Sequence, residues 1–192
     1  MNAAIALFWR AFAFFAFVGT AAGAASAADI DVDTERNGDA VDIGAGAVLT
    51  ASREIAWRVL TDYARYAEFL PDMHSSRILS RDRNEALIEQ RGEARFLWLR
   101  LPMQVTLAVI EAPGERVESR MVAGTLRAFH GRYELARAGE RLTLQYSGQM
   151  VLDEEHRGVF DSVVIRQNVR RQFRALVNEI ERVASAAPEQ RP

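Results

Sequence analysis

No cysteine occurs anywhere in the 192 residues. Disulfides, thiolate nucleophiles and cysteine-ligated metals are excluded together. Lysine is absent as well, since all 24 basic side chains are arginine. The chain therefore offers no amine for a Schiff base and no P-loop lysine. Histidine is scarce, and its 3 copies, His74, His130 and His156, stand far apart. No Ser-His-Asp order and no Gly-x-Ser-x-Gly elbow is visible. Gly44-Ala45-Gly46 lacks the third glycine and the following helix that a dinucleotide site needs. A surplus of positive charge is missing too. The formal charge of −2 argues against a nucleic-acid footprint.

What the chain has is apolar residues, 49% of the total, at a length suited to one domain. The first 27 residues form a separate piece. Arg10 precedes the apolar run Ala11 to Val18, small residues follow, and Ala25-Ser26-Ala27 supplies an A-x-A cleavage signal. This pattern reads as a secretory signal peptide cleaved after Ala27, which makes the mature protein periplasmic or secreted. The alternative is an uncleaved membrane anchor. A span is better served by about 20 continuous apolar residues, and the stretch from Gly19 to Ala28 is only weakly hydrophobic.

The mature chain opens with a hairpin. Ile30 and Val32 alternate with Asp31 and Asp33, Asn37-Gly38 supplies the turn, and a second alternating stretch runs from Ala40 to Leu49. Ser52 then offers a helix N-cap ahead of Ile55, Ala56, Val59 and Leu60, which recur at helical spacing. Asp62 is positioned to cap a second short helix that reaches Phe69 and stops at Pro71. Strand-like segments follow at Ser76–Ser80, Ala86–Gln90, Val105–Val109, Val117–Met121, Phe129–Leu135 and Leu142–Tyr146. Turn signals at Asp82 to Asn84, Pro113-Gly114, Gly124 and Ala138-Gly139 separate them, so they form an antiparallel meander. The longest helix, Val159 to Ala184, closes the domain. Ile165, Val169, Phe173, Leu176, Ile180 and Val183 form one apolar stripe, and Arg166, Arg170 and Arg174 lie on another face. The tail from Ala186 to Pro192 reads as disordered.

An antiparallel sheet with one apolar face needs a cover, and only the final helix is long enough to supply it. Twist lets the sheet curl around that helix. The predicted class is α+β, a curved antiparallel sheet wrapped around a long C-terminal helix, with two short helices after the first strands. On the strands, Val105, Leu107, Val109, Met121, Tyr133, Leu144 and Tyr146 share the phase that faces the helix. With Phe173, Leu176 and Ile180 of the helix they are the candidate lining of a ligand cavity. The same residues are equally able to fill a dry core.

The block Trp57-Arg58-Val59-Leu60-Thr61-Asp62-Tyr63, with Tyr66 and Phe69-Leu70-Pro71, resembles the coenzyme Q-binding START-like proteins of the polyketide cyclase and lipid-transport superfamily. Ser76-Arg77-Ile78-Leu79, Gly131-Arg132-Tyr133-Glu134-Leu135 and the closing amphipathic helix agree with it, so the resemblance spans Val41 to Ala184. It implies a START-like helix-grip domain over residues 28–185, a cavity between sheet and helix, and a hydrophobic ligand such as a lipid or isoprenoid quinone. Asp153 to Gly158 departs from the proline-containing segment that relatives carry before the last helix.

The remaining polar motifs favour plain readings. Asp62 reads as a helix cap, Trp57 as a packing anchor, and the acids Asp153, Glu154 and Glu155, with His156 beside them, as residues suited to a helix dipole rather than a metal site. His130 falls out of phase with Phe129 and Tyr133 and faces solvent. The Arg166, Arg170, Arg174 face reads as solvated, with anionic lipid head groups as its alternative partner. With no catalytic set and no cofactor or metal motif, the expectation is an exported binder or carrier of a hydrophobic ligand. Tyr133, Tyr146 or Gln104 would orient the ligand's polar end, transient membrane contact is expected, and nucleic acid is not. Two alternatives stand. One is a cyclase or hydrolase using His130 or Glu134 in the same cavity. The other is a protein-interaction module related to the ribosome-association toxin of this superfamily.

Overall fold

The computed structural model describes residues 29–96, 98–153 and 162–187. The proposed signal segment 1–27 and all but Asp153 of the acidic run 153–156 lie outside these residues, as does the tail beyond Ala187.

Local chemistry forms each element. β1 (Ile30–Asn37) and β2 (Ala40–Leu49) pair around the two-residue turn Gly38-Asp39; Asn37 stays in β1 opposite Ala40, and Gly38 takes φ +64° at the first turn position, the place where a glycine-first hairpin turn needs it. Ser52 caps α1 (Arg53–Leu60), its hydroxyl accepting from the Ile55 N–H at 3.3 Å. A 3-10 turn (Tyr63–Arg65) and the one-turn α2 (Tyr66–Phe69) follow. Here the sequence expectation needs correction. Asp62 stands at the N-terminus of the 3-10 turn but makes no side-chain cap. Its carboxylate turns to Arg65 instead, at 3.7 Å.

The meander is β3 (Met73–Asp82), β4 (Glu85–Phe96), β5 (Leu99–Ala112), β6 (Arg116–Gly124), β7 (Ala128–Ala138) and β8 (Arg141–Val151). All eight strands join one antiparallel sheet in the order β1-β2-β8-β7-β6-β5-β4-β3. Bulges interrupt the register in β3 and between Thr106 and Leu107 of β5, which helps the sheet to bend. The chain closes with α3 (Ser162–Ala186). Among the described residues no helix is long and apolar enough to cross a membrane.

The helix does not sit centrally in the curl. Its C-terminal half presses onto β1, β2 and β8, where Phe173, Leu176, Val177 and Ile180 join Ala45, Ala47 and Leu144 in one dry cluster. Small residues on β2 let the helix come close, and each large apolar side chain so buried contributes roughly 1.5–3 kcal/mol. Trp57 packs between this cluster and a second one built on β4, β5 and β6. Glu181 tethers the far end, accepting from the Thr50 N–H at 2.8 Å and from the Thr50 hydroxyl.

Glu179, buried on the α1 side of α3, accepts two bonds from Arg182 at 2.6 and 2.7 Å and lies 3.8 Å from Arg65. The bonds from Arg182 hold its carboxyl below the ordinary value of 4.5 against the opposing effect of burial. A carboxyl whose folded value is depressed stabilises the fold above its unfolded pKa, and that contribution is lost as pH falls through the folded value. Denaturant midpoints should therefore fall as pH drops below about 4.5, and Glu179→Gln should flatten part of that fall. An unchanged slope in Glu179→Gln would show that Glu179 has no part in the acid response.

Candidate functional site

Where α3 stops covering the sheet, a cavity opens. Its volume is about 290 Å³, close to the lower bound of roughly 300 Å³ for small-molecule sites. The floor comes from the inward faces of β4 to β8, with Ile88, Val105, Leu107, Val109, Tyr133 and Tyr146 among its side chains. Tyr63, Tyr66 and Leu70 close it from the short helices, and Ile165, Asn168, Val169 and Gln172 from the N-terminal half of α3.

Of the ten residues singled out in the sequence, Val105, Leu107, Val109, Tyr133 and Tyr146 line this cavity. Leu144, Phe173, Leu176 and Ile180 stand instead in the dry cluster under the C-terminal half of α3. Leu144 pairs with Ala47 across β8 and β2, directly beneath the helix, so no space remains there. Met121 packs at the edge of the second cluster, outside the cavity wall. Gln104, expected as a polar contact, alternates out of phase with Met103 and Val105. It is exposed and donates to Glu89 at 3.4 Å.

The catalytic candidates are outside as well. His130 is exposed, and Glu134 is half-exposed beside Arg132 at 3.4 Å; both share the strand phase opposite to Tyr133. Neither borders the cavity. Gly44 and Gly46 lie within β2, in plain strand pairing. Arg166, Arg170 and Arg174 are exposed along α3. Among the described residues no group of histidine, aspartate and glutamate side chains is arranged to hold a metal.

One side of the cavity is polar, and the sequence reading passed over it. Asp72, in the turn between α2 and β3, has φ +64° and a side chain only 7% exposed. It accepts from Arg95 Nη1 at 3.1 Å and pairs with Arg171 Nη2 at 2.8 Å. Asn168 brackets the Arg95 peptide: its Nδ2 donates to the Arg95 carbonyl at 3.0 Å, and its Oδ1 accepts from the Arg95 N–H at 3.3 Å. The turn, β4 and α3 are thus bolted together along this side. The buried carboxylate is tolerable because two guanidinium groups meet it. A faint signal existed in the sequence, since Asn168 and Gln172 run as polar residues beside the apolar stripe of α3.

At the other end, Glu111 is buried and accepts from the Tyr63 hydroxyl at 2.8 Å and from Arg81 at 2.7 Å. Burial first, then the bond to Glu111 and its charge, push the Tyr63 phenol far above its usual range. Tyr66 donates to the Leu60 carbonyl at 2.6 Å and is likewise raised, chiefly by burial.

A curved antiparallel sheet gripping a C-terminal helix, with an apolar cavity left between them, defines the START-like helix-grip class. Within that class, the chain belongs to the polyketide cyclase / dehydrase and lipid transport family, whose profile matches residues 49–181. Solved structures agree on the fold. TTHA0849 from Thermus thermophilus superposes with a TM-score of 0.64 at 12% identity, covering 76% of this chain and 99% of that one. The Zhui aromatase/cyclase from Streptomyces sp. R1128 gives 0.61 at 15% identity, covering 76% and 94%. The STAR-related lipid transfer protein from Xanthomonas axonopodis gives 0.60 at 12% identity, covering 83% and 96%. A search of curated protein sequences gave no match.

Proposed function

We propose that this protein is an exported binder or carrier of a hydrophobic small molecule, a lipid or an isoprenoid quinone, held in the cavity between β4–β8 and the N-terminal half of α3. The observation that carries the reading is the cavity itself. Its walls are mostly apolar, and its acids, Asp72 and Glu93, are engaged by arginines on one side. Binding draws on apolar burial, with selectivity from a few hydroxyl groups. The lipid transfer protein among the similar folds supports the same reading. The test is native mass spectrometry on protein purified gently from the exported fraction, followed by organic extraction. A co-purifying lipid or quinone, and an N-terminus at Ala28, are the expected results. A bare protein that takes up neither quinones nor phospholipids added afterwards would overturn the reading.

Delivery to a membrane is part of the proposal. Trp98, in the β4–β5 turn, is 87% exposed. It lies three residues beyond Arg95, whose peptide Asn168 holds at the polar side of the cavity. Tryptophan settles at the membrane–water interface, and Arg100 beside it, whose side chain is 62% exposed, suits anionic head groups. Trp98→Ala should weaken co-sedimentation with anionic phospholipid vesicles about tenfold while leaving the fold intact. Equal sedimentation of wild type and variant would remove this turn from the membrane contact.

The aromatase/cyclase neighbours favour a second reading, an enzyme acting on a polyketone in the same cavity. The two readings separate when the extracted or added ligand is recovered. Unchanged recovery after prolonged incubation supports the carrier, and a cyclised or dehydrated product supports the enzyme.

A further inference from the structure

Of the chain's four tyrosines, all of which line the cavity, two have hydrogen-bond partners among the described residues and two have none there. Tyr63 and Tyr66 donate to Glu111 and to the Leu60 carbonyl. Neither the Tyr133 nor the Tyr146 hydroxyl has a hydrogen-bond partner among the described residues. A phenol removed from bulk water normally finds an acceptor, and leaving it without one is costly.

The two are built as a pair. Tyr133 of β7 and Tyr146 of β8 are directly opposed in register, with ring centroids 4.7 Å apart. Two glycines seat the second ring. A Cβ on Gly148 would come within 2.4 Å of the Tyr146 hydroxyl, and one on Gly131 within 2.9 Å. Gly131 and Gly148 are themselves register partners, so both strands leave out a side chain at the same place. The serine hydroxyl on this wall, Ser119, donates to the Gly131 carbonyl at 3.2 Å.

The surroundings specify the complementary group. Phe129, Val117 and Met150 add only apolar surface or thioether to this part of the wall. Among the described residues the wall's one arginine, Arg91, stands on β4, three strands from β7, and pairs with Glu89 at 3.4 Å. None of the described residues places a cation to offset a carboxylate or phosphate beside the two phenols. Burial alone raises Tyr133 to about 12 and, as the leading cause, raises Tyr146 as well, so both remain protonated donors.

The geometry points to a two-hydroxyl clamp, Tyr133 with Tyr146, that selects a hydrophobic ligand whose buried end carries a neutral acceptor oxygen, a carbonyl or an ether, and discriminates against an anion there. The assignment rests on the cavity being a binding site, as proposed above. It goes further by fixing which end of the ligand enters and what chemistry that end presents. A fatty acid or phospholipid would therefore keep its charged end away from the clamp.

Three bicyclic probes of similar shape test it: 2-methyl-1,4-naphthoquinone, 2-methylnaphthalene and 2-naphthoate. The chain has no thiol or lysine amine to add to the quinone. By isothermal titration calorimetry, wild type should bind the quinone about tenfold more tightly than the hydrocarbon, and the naphthoate most weakly. In Tyr133→Phe/Tyr146→Phe the preference for the quinone should vanish while affinity for the hydrocarbon is kept. Retained hydrocarbon affinity also shows that the cavity is intact. Each single variant should lose about threefold, which keeps the test open if the double variant folds poorly. A double variant that still prefers the quinone, or a wild type that binds naphthoate as tightly as quinone, overturns the clamp and leaves the cavity reading standing. A wild type that binds none of the three overturns the cavity reading, and the clamp with it.

Discussion

Leu107→Arg is expected to abolish uptake of an apolar ligand, with affinity falling at least about a hundredfold, because a guanidinium group buried without a partner is costly to desolvate. Leu107 lies on the floor of the cavity and is 6% exposed. A guanidinium there meets no unengaged acid among the described residues near it, since Asp72 and Glu93 are held by arginines on one side of the wall and Glu111, further along β5, is held by Tyr63 and Arg81. The measurement is uptake of a fluorescent lipid or quinone analogue, with far-UV circular dichroism to check folding. Arg170→Ala, on the exposed face of α3, should bind like wild type. Leu107→Ala, which only enlarges the space, separates blockage from unfolding and should retain binding. Equal uptake by wild type and Leu107→Arg would remove this cavity from the binding mechanism.

Phe173→Ala should do the opposite, costing about 3–5 kcal/mol of stability with little change in affinity of the folded protein. Phe173 is 2% exposed and packs in the dry cluster against β1, β2 and β8, outside the cavity wall. For a domain of this size the thermal midpoint should fall by on the order of 10 °C. A variant that instead lost ligand binding at temperatures where it remained folded would show that the cavity extends beneath the C-terminal half of α3. The two substitutions thus probe the two halves of the helix, one resting on sheet and the other bordering space.

Much of the architecture was legible because it is local. The hairpin after Asn37, with its turn one residue later than the Asn-Gly signal places it, the Ser52 cap and the alternation along β5, β7 and β8 each depend on residues within a few positions of one another. The inward phase of Val105, Leu107, Val109, Tyr133 and Tyr146 follows from the two-residue strand period alone. Asp62 shows the limit even at short range. A 3-10 turn rather than an α-helix begins there, and the carboxylate finds Arg65 instead of a backbone N–H. His130 is exposed, as its strand phase predicts, and stands outside the cavity.

The polar side of the cavity was not legible. Asp72, Arg95 and Arg171 are each ordinary surface residues by type, and Asp72 lies 23 positions from Arg95 along the chain. Their convergence depends on how the turn after α2 folds back on β4, where the Glu93 N–H donates to the Asp72 carbonyl at 2.8 Å. No periodicity encodes such a contact.

By itself the sequence determined the order of elements, the inward face of β5, β7 and β8, the apolar stripe of the last helix and the absence of cysteine and lysine chemistry. Each of these is written in composition or in a short-range period. Tertiary structure alone decided which inward residues meet a neighbour and which meet space. Leu144 and Leu107 look alike in sequence, yet one lies under α3 against Ala47 and the other lines the cavity. The helix covers only part of the curved sheet, so the same apolar face becomes a filled core at one end and a binding cavity at the other. That outcome depends on where α3 comes to rest on the sheet, which is set by contacts between residues distant in the chain.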